Sequence, residues 1–138
     1  MKKQSGFTLI EIMVVLAILA GLVAMVAPNI IGEAGEARVK TAKAEMANIG
    51  QALNMYKLDN FTYPSTSQGL EALVSKPSGS PEPKNYKKDG YMPKLPTDPW
   101  GNPYIYIASG GKYEIVSLGA DGEEGGEDDA ADISSKDI

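Results

Sequence analysis

Residues 7–27 form an almost unbroken apolar run, and this run restricts the possible folds of the chain more than any other feature. A run of about 20 apolar residues is long enough to cross the hydrocarbon core of a membrane as a helix. Thr8 and Glu11 are its polar exceptions. We therefore expect this helix to need lipid or partner helices around it.

Three interpretations of the apolar run compete. A cleaved secretory signal would place a small-residue site after the run, between Ala24 and Pro28. A plain membrane anchor would tolerate Glu11 poorly, because a carboxylate in lipid is costly. A buried helix of a soluble protein is disfavoured by the length and hydropathy of the run.

The composition excludes several chemistries. The chain contains neither Cys nor His, so disulfides, thiol nucleophiles, Cys-based zinc sites and the commonest general base are absent. The net charge of −5 argues against nucleic-acid binding, and we interpret the stretch with Lys84, Lys87, Lys88 and Lys94 as a solvated loop. We expect a non-enzymatic protein, since a membrane-tethered hydrolase would lack these groups. Its remaining polar residues favour hard ions such as calcium or magnesium.

A second helical pattern follows Pro28, a residue that can break or kink a helix. Apolar residues recur there at steps of four and three, which predicts an amphipathic helix to about Leu58, continuous or nearly so with the first. The stripe consists of Ala42, Met46, Ile49, Leu53 and Tyr56.

The rest of the chain predicts a small α+β domain. Ser65 to Gln68 has the pattern of a capping box, and a short helix with Leu70, Leu73 and Val74 inward should follow. Segments 104–107 and 113–116 are rich in β-formers and flank a Gly-rich turn, which predicts a β-hairpin. The expected fold is a long N-terminal helix packed on a small antiparallel sheet.

The segment Gly6-Phe7-Thr8-Leu9-Ile10-Glu11 follows a short basic leader and resembles the N-terminal motif of type IV pilins and pseudopilins. The resemblance implies cleavage by a prepilin peptidase between Gly6 and Phe7, and methylation of the new terminus at Phe7. It also implies that Glu11 faces the Phe7 ammonium of a neighbouring subunit, which would offset the cost of its charge in lipid. The implied organisation is a leader (1–6), a transmembrane and polymerisation helix (7–30) and a periplasmic globular domain (31–138).

Residues 63–70, 95–104 and 117–122 are similar to major pseudopilins of type II secretion, so the resemblance covers nearly the whole chain. It implies a major subunit of the periplasmic pseudopilus, a single-pass protein of the bacterial inner membrane. This subunit would polymerise through its N-terminal helix to help drive folded proteins across the outer membrane. The implied partners are copies of itself, minor pseudopilins, the prepilin peptidase and the inner-membrane assembly platform.

Two alternatives stay open. One is a type IV pilus-like pilin, although such pilins commonly end in a disulfide-closed loop that this chain cannot make. The other is a membrane-anchored calcium-binding module that recognises a secreted protein. Processing at Gly6 separates a polymerising filament subunit from this last alternative, because a monomeric anchor needs no new amino terminus.

The acidic, Gly-rich segment after Leu118 also has two interpretations. Composition alone favours a disordered tail. Calcium, however, takes about six to eight oxygen ligands, and the glycines would let the backbone fold round an ion. The resemblance implies a calcium loop with side-chain ligands Asp121, Asp128 and Asp129 and backbone carbonyls of Leu118 and Glu123, in a register that the doubled acidic residues leave open.

Overall fold

The computed structural model describes residues 6–138, apart from the side chains of residues 28–31. The predicted leader, with Lys2 and Lys3, therefore lies outside the described residues except for Gly6. The chain divides into two compact units, Met1–Glu36 and Ala37–Ile138, and each is described by itself. The predicted domain boundary between residues 30 and 31 stays a prediction.

One helix, α1, spans Leu9–Asn60. It continues past Pro28 and ends two residues beyond the predicted Leu58. At its end the Phe61 amide donates to the Lys57 carbonyl at 2.7 Å, and Phe61 has a left-handed backbone with φ 65°. This conformation stops the helix, because it closes the last turn and turns the chain away.

In the first unit, the apolar side chains from Phe7 to Val26 are exposed. The side chains of Leu9 and Met25 are both 77% exposed. Since the hydrophobic effect favours removing such surface from water, this part of α1 is incomplete without lipid or other chains.

In the second unit, α1 packs on a three-stranded antiparallel sheet in the order β1-β2-β3. The strands are β1 (Ile105–Ser109), β2 (Lys112–Ser117) and β3 (Ile133–Ser134). The predicted helical stripe is confirmed, since all five of its residues are buried in the core with Tyr106 and Ile115 of the hairpin. The hairpin strands are longer than predicted, and Tyr104 lies just before β1.

The predicted capping box is also confirmed. The Ser65 amide donates to Gln68 Oε1 at 2.9 Å, and the Gln68 amide donates to Ser65 Oγ at 3.2 Å. The helix that follows is a single 3₁₀ turn, Leu70–Leu73, with both leucines buried. Val74, predicted to point inward, is only half-buried because it follows the end of this turn.

Strand β3 is not predicted from the sequence, because two residues in an acidic segment carry no strand pattern. Side-chain bonds hold it in place: the Ile115 amide donates to Ser135 Oγ at 2.9 Å, and Ser134 Oγ donates to Glu114 at 2.7 Å. Lys136 and Ser134 both donate to Glu114, and they hold its pKa below the usual range. This tie to the C-terminus is therefore present at neutral pH and lost as the pH falls through the folded pKa of Glu114.

Two buried tyrosines of the core allow a matched test of its polar groups. Tyr106 donates its hydroxyl to the Pro64 carbonyl at 2.9 Å, whereas the buried Tyr56 hydroxyl has no partner in the described part of the chain. Tyr106→Phe should lower the free energy of unfolding by about 1 kcal/mol, and Tyr56→Phe should leave it unchanged or raise it. Urea unfolding of the detergent-solubilised chain, followed by the fluorescence of Trp100, measures both. Equal losses from the two changes would contradict this assignment of the core hydrogen bonds.

Candidate functional site

The start of α1 is fixed by two side chains of the N-terminal motif. The Thr8 amide and hydroxyl both donate to Glu11 Oε2, at 2.8 and 3.0 Å, and the Glu11 amide lies 3.3 Å from Thr8 Oγ1. This reciprocal pair is a capping box, which satisfies amide groups that have no partner inside the helix. The sequence analysis missed it, although the Thr-x-x-Glu spacing indicates it.

The same carboxylate has no countercharge in the described part of the chain. Among residues 6–138, no cation pairs with Glu11, and both hydrogen bonds from Thr8 go to Oε2. Oε1 therefore keeps its capacity to accept a hydrogen bond. Around it lie exposed apolar side chains, with Phe7 at 87% and Ile10 at 70% exposure. By length and composition, α1 contains a segment that meets the requirement for a membrane span.

The predicted calcium ligands lie in one loop between β2 and β3. The Ala120 amide donates to the Asp129 carbonyl at 2.9 Å, so the arm after Leu118 is joined to the arm before β3. Asp121 Oδ1 accepts from the Glu123 amide at 3.1 Å. Asp128, with φ 52°, begins a 3₁₀ turn spanning Asp128–Ala130.

Glycines allow this loop to fold back closely on itself. A Cβ at Gly126 would lie 2.3 Å from the Ala130 carbonyl oxygen, and a Cβ at Gly119 would lie 2.9 Å from the Asp129 carbonyl oxygen. Both positions also have a positive φ, so only glycine fits without strain. Within the described residues, however, no group of three or more acidic side chains is arranged to hold a metal ion. A calcium ion here would depend on backbone carbonyls as well as carboxylates.

Asp98, to which the sequence analysis assigned no role, supports this loop through hydrogen bonds. It is buried, and its Oδ1 accepts from the amides of Trp100 and Asn102 at 3.1 and 2.7 Å. Its Oδ2 accepts from Ser117 Oγ at 2.7 Å, at the end of β2. Asn102 in turn donates to the Gly119 carbonyl at 3.1 Å. The carboxylate therefore links the turn before β1 to the first residues of the loop.

In this chain an exposed apolar helix begins with a capping box that contains Glu11, and a small α+β domain follows it in sequence. These features define the class of pilin-like filament subunits anchored in a membrane. The comparisons with known proteins agree with this class. The prokaryotic N-terminal methylation motif matches residues 1–27. The family described as type II secretion system (T2SS), protein G, matches residues 29–136.

Relatives and a solved structure support the same assignment. The chain is 59% identical to type II secretion system core protein G of Pseudomonas aeruginosa, over 99% of this chain and 97% of that protein. It is 51% identical to the Vibrio cholerae protein of the same name, over 100% and 95% of the two chains. The crystal structure of the major pseudopilin from enterohaemorrhagic Escherichia coli matches with a TM-score of 0.72 at 42% identity, covering 80% of this chain and 96% of that one.

The chain therefore belongs to the protein G family of type II secretion, the major pseudopilins. The pilin-like fold predicted from the sequence is confirmed by this match. The predicted calcium ligands share one loop, but their side chains do not form a preassembled metal site, so the calcium site stays a prediction. These ligands are Leu118, Asp121, Glu123, Asp128 and Asp129.

The hydrogen bonds of Asp98 predict that the loop after Leu118 depends on this side chain. Asp98→Ala should lower the free energy of unfolding by roughly 2–5 kcal/mol, because it leaves buried donors without an acceptor. It should also expose the segment after Leu118 to protease. Asp89→Ala, at an exposed acidic residue, is the control and should change neither property. A loop that stays protected in Asp98→Ala would show that this network does not support it.

Proposed function

We propose that this pseudopilin polymerises through the apolar part of α1 into a periplasmic filament rooted in the inner membrane. Growth of the filament would help drive folded proteins across the outer membrane, and the subunit's role would be structural rather than enzymatic. The observation that carries this proposal is the exposure of the apolar side chains from Phe7 to Val26 around Glu11. Such a surface is suited first to lipid and then to the same helix of other subunits.

Processing would prepare the helix for assembly. A prepilin peptidase would cut between Gly6 and Phe7 and methylate the new terminus, and the N-terminal methylation motif over residues 1–27 supports this step. Copies of this chain, minor pseudopilins and the inner-membrane assembly platform would then be the partners of the processed subunit.

The capping geometry supports a charge pair between subunits. Thr8 occupies Glu11 Oε2, which leaves Oε1 for the Phe7 ammonium of a neighbouring chain. In a low-dielectric surrounding an unpaired carboxylate is costly, so a subunit that arrives with a new ammonium gains by docking beside it. Glu11 would thus start the helix in one chain and fix the position of the next.

Two substitutions of Glu11 separate these roles. Glu11→Gln keeps an acceptor for Thr8 but loses the charge, whereas Glu11→Val loses both. Both variants should insert into the membrane at least as well as the unmodified chain, because a costly charge is gone. Both should form at least about tenfold fewer filaments, counted by electron microscopy beside an assay of secretion.

The outcome for Glu11→Gln decides between the roles. Filaments formed by this variant at the normal level would contradict the charge pair and leave only the capping role. A normal yield from Glu11→Val would contradict both.

We also propose that the loop after Leu118 binds calcium. The all-oxygen donor set, the glycine positions that admit no Cβ and the backbone bond between Ala120 and Asp129 support the fit. Asp121, Asp128 and Asp129 would supply carboxylate oxygens, and Leu118 and Glu123 would supply carbonyls. The ion would neutralise carboxylates that otherwise repel one another.

Calcium should therefore stabilise the folded chain. At free calcium about a hundredfold above its dissociation constant, the gain is about 2.7 kcal/mol. Magnesium should substitute poorly, since it demands a tighter octahedral shell. Thermal unfolding of the detergent-solubilised chain in calcium, magnesium and chelator measures the effect. Asp121→Ala should abolish the gain while Asp137→Ala, outside the loop, should keep it; identical melting in calcium and chelator would contradict the site.

A further inference from the structure

The globular unit Ala37–Ile138 carries a cleft with a positive rim. The cleft has a volume of about 550 Å³. It lies between residues 74–76, which follow the Leu70–Leu73 turn, and the loop of residues 83–88. Lys76, Lys84 and Lys88 line it, and Pro83 and Tyr86 contribute apolar wall. Lys84 and Lys88 lie in an exposed loop, as expected from the sequence, and the cleft places these cations beside a shaped surface.

These lysines are poorly compensated within the subunit. Lys76 Nζ lies 3.7 Å from a Glu82 oxygen, but both side chains are largely exposed, so this pair contributes little. In the described part of the chain, Lys84 and Lys88 form no ion pair. The cleft therefore presents at least two ammonium groups to a partner.

The same unit carries an uncompensated negative segment. We call residues 119–132 the acidic loop, and its carboxylates form no ion pair with any Lys or Arg among the described residues. They belong to Asp121, Glu123, Glu124, Glu127, Asp128, Asp129 and Asp132. A bound calcium ion would remove two of these negative charges, so the loop would stay acidic. The side chains of Glu124 and Glu127 lie outside the predicted ligand set and are exposed.

The lysine cleft and the acidic loop carry opposite charges but form no ion pair with each other among the described residues. They are therefore suited to contacts between chains. When a patch on one subunit binds a different patch on the next, the contact is head-to-tail and yields an open filament unless the rotation closes a ring. Opposite charges on the two patches fix the register of such a contact and disfavour other registers. Because this chain is a major pseudopilin, we take a second copy to be the most abundant nearby partner.

We propose that the lysine cleft of one subunit binds the acidic loop of a neighbouring copy, with Lys84 and Lys88 facing Glu124 and Glu127. This contact rests on the proposed polymerisation and adds a second, electrostatic contact between globular units to the packing of apolar helices. Each exposed pair is weak and screened by salt, so the apolar helices supply most of the affinity. The charge contact sets the register and adds to the stability of the filament.

Charge reversal tests the contact in the full chain. Lys84→Glu with Lys88→Glu, and separately Glu124→Lys with Glu127→Lys, should each reduce filament yield at least about tenfold, because like charges then face each other. All four substitutions together should restore the yield. Lys112→Glu, on the hairpin and outside the cleft, is the control and should assemble normally.

Cross-linking provides a second readout that does not depend on filament yield. The chain has no cysteine, so cells can co-express one copy with Lys84→Cys and another with Glu124→Cys. A disulfide between these two variants can join only different copies, and we expect a dimer band containing both in assembled filaments.

The outcomes distinguish this contact from the proposed function. Absence of filaments from the unmodified chain would overturn polymerisation itself. Normal filaments from either reversed pair would overturn only the charge contact. If both reversed pairs assemble poorly and the fourfold variant is not restored, the two patches bind other partners, such as a secreted protein or a phosphate-bearing lipid, and the contact is again overturned.

Discussion

The structure depends on one helix, α1, whose two parts need different surroundings. From Phe7 to Val26 its side chains are apolar and exposed, whereas from Ala42 to Tyr56 one stripe is buried under a sheet. Burying a large apolar side chain is worth about 2 kcal/mol, so the exposed part represents tens of kcal/mol that the isolated chain cannot recover. Under the proposed function, lipid would recover it before assembly, and neighbouring helices would keep much of this surface covered in the filament. Membrane residence and polymerisation would then depend on the same apolar surface.

Two carboxylates, those of Glu11 and Asp98, organise the start of α1 and the turn before β1. Glu11 starts α1 through its hydrogen bonds with Thr8, while the buried Asp98 holds the turn before β1 and the end of β2 together. In both places the charge acts through the hydrogen-bond donors that surround it. The acidic loop follows the same physical rule, because carboxylates left without donors or cations repel one another and favour any arrangement that supplies a positive partner.

The sequence predicted the elements whose pattern is local and repeated. The helical stripe and the Ser65–Gln68 capping box have fixed spacings that side-chain geometry imposes, and both are present. Strand β3 and the role of Asp98 could not be predicted, because they depend on contacts between residues far apart in sequence. The processing site is predicted from a motif, whereas the metal ligands depend on a loop conformation that composition does not determine.

The central claim is that the apolar helix is retained and begins at Phe7, and its most direct test is mass spectrometry of the N-terminus of the membrane-extracted protein. In a host with an active prepilin peptidase, we expect a chain that starts at Phe7, lacks residues 1–6 and carries one methyl group on its amino terminus. A chain that still starts at Met1 would contradict the account. So would one that starts beyond Ala24, because the helix would then be a discarded secretory signal.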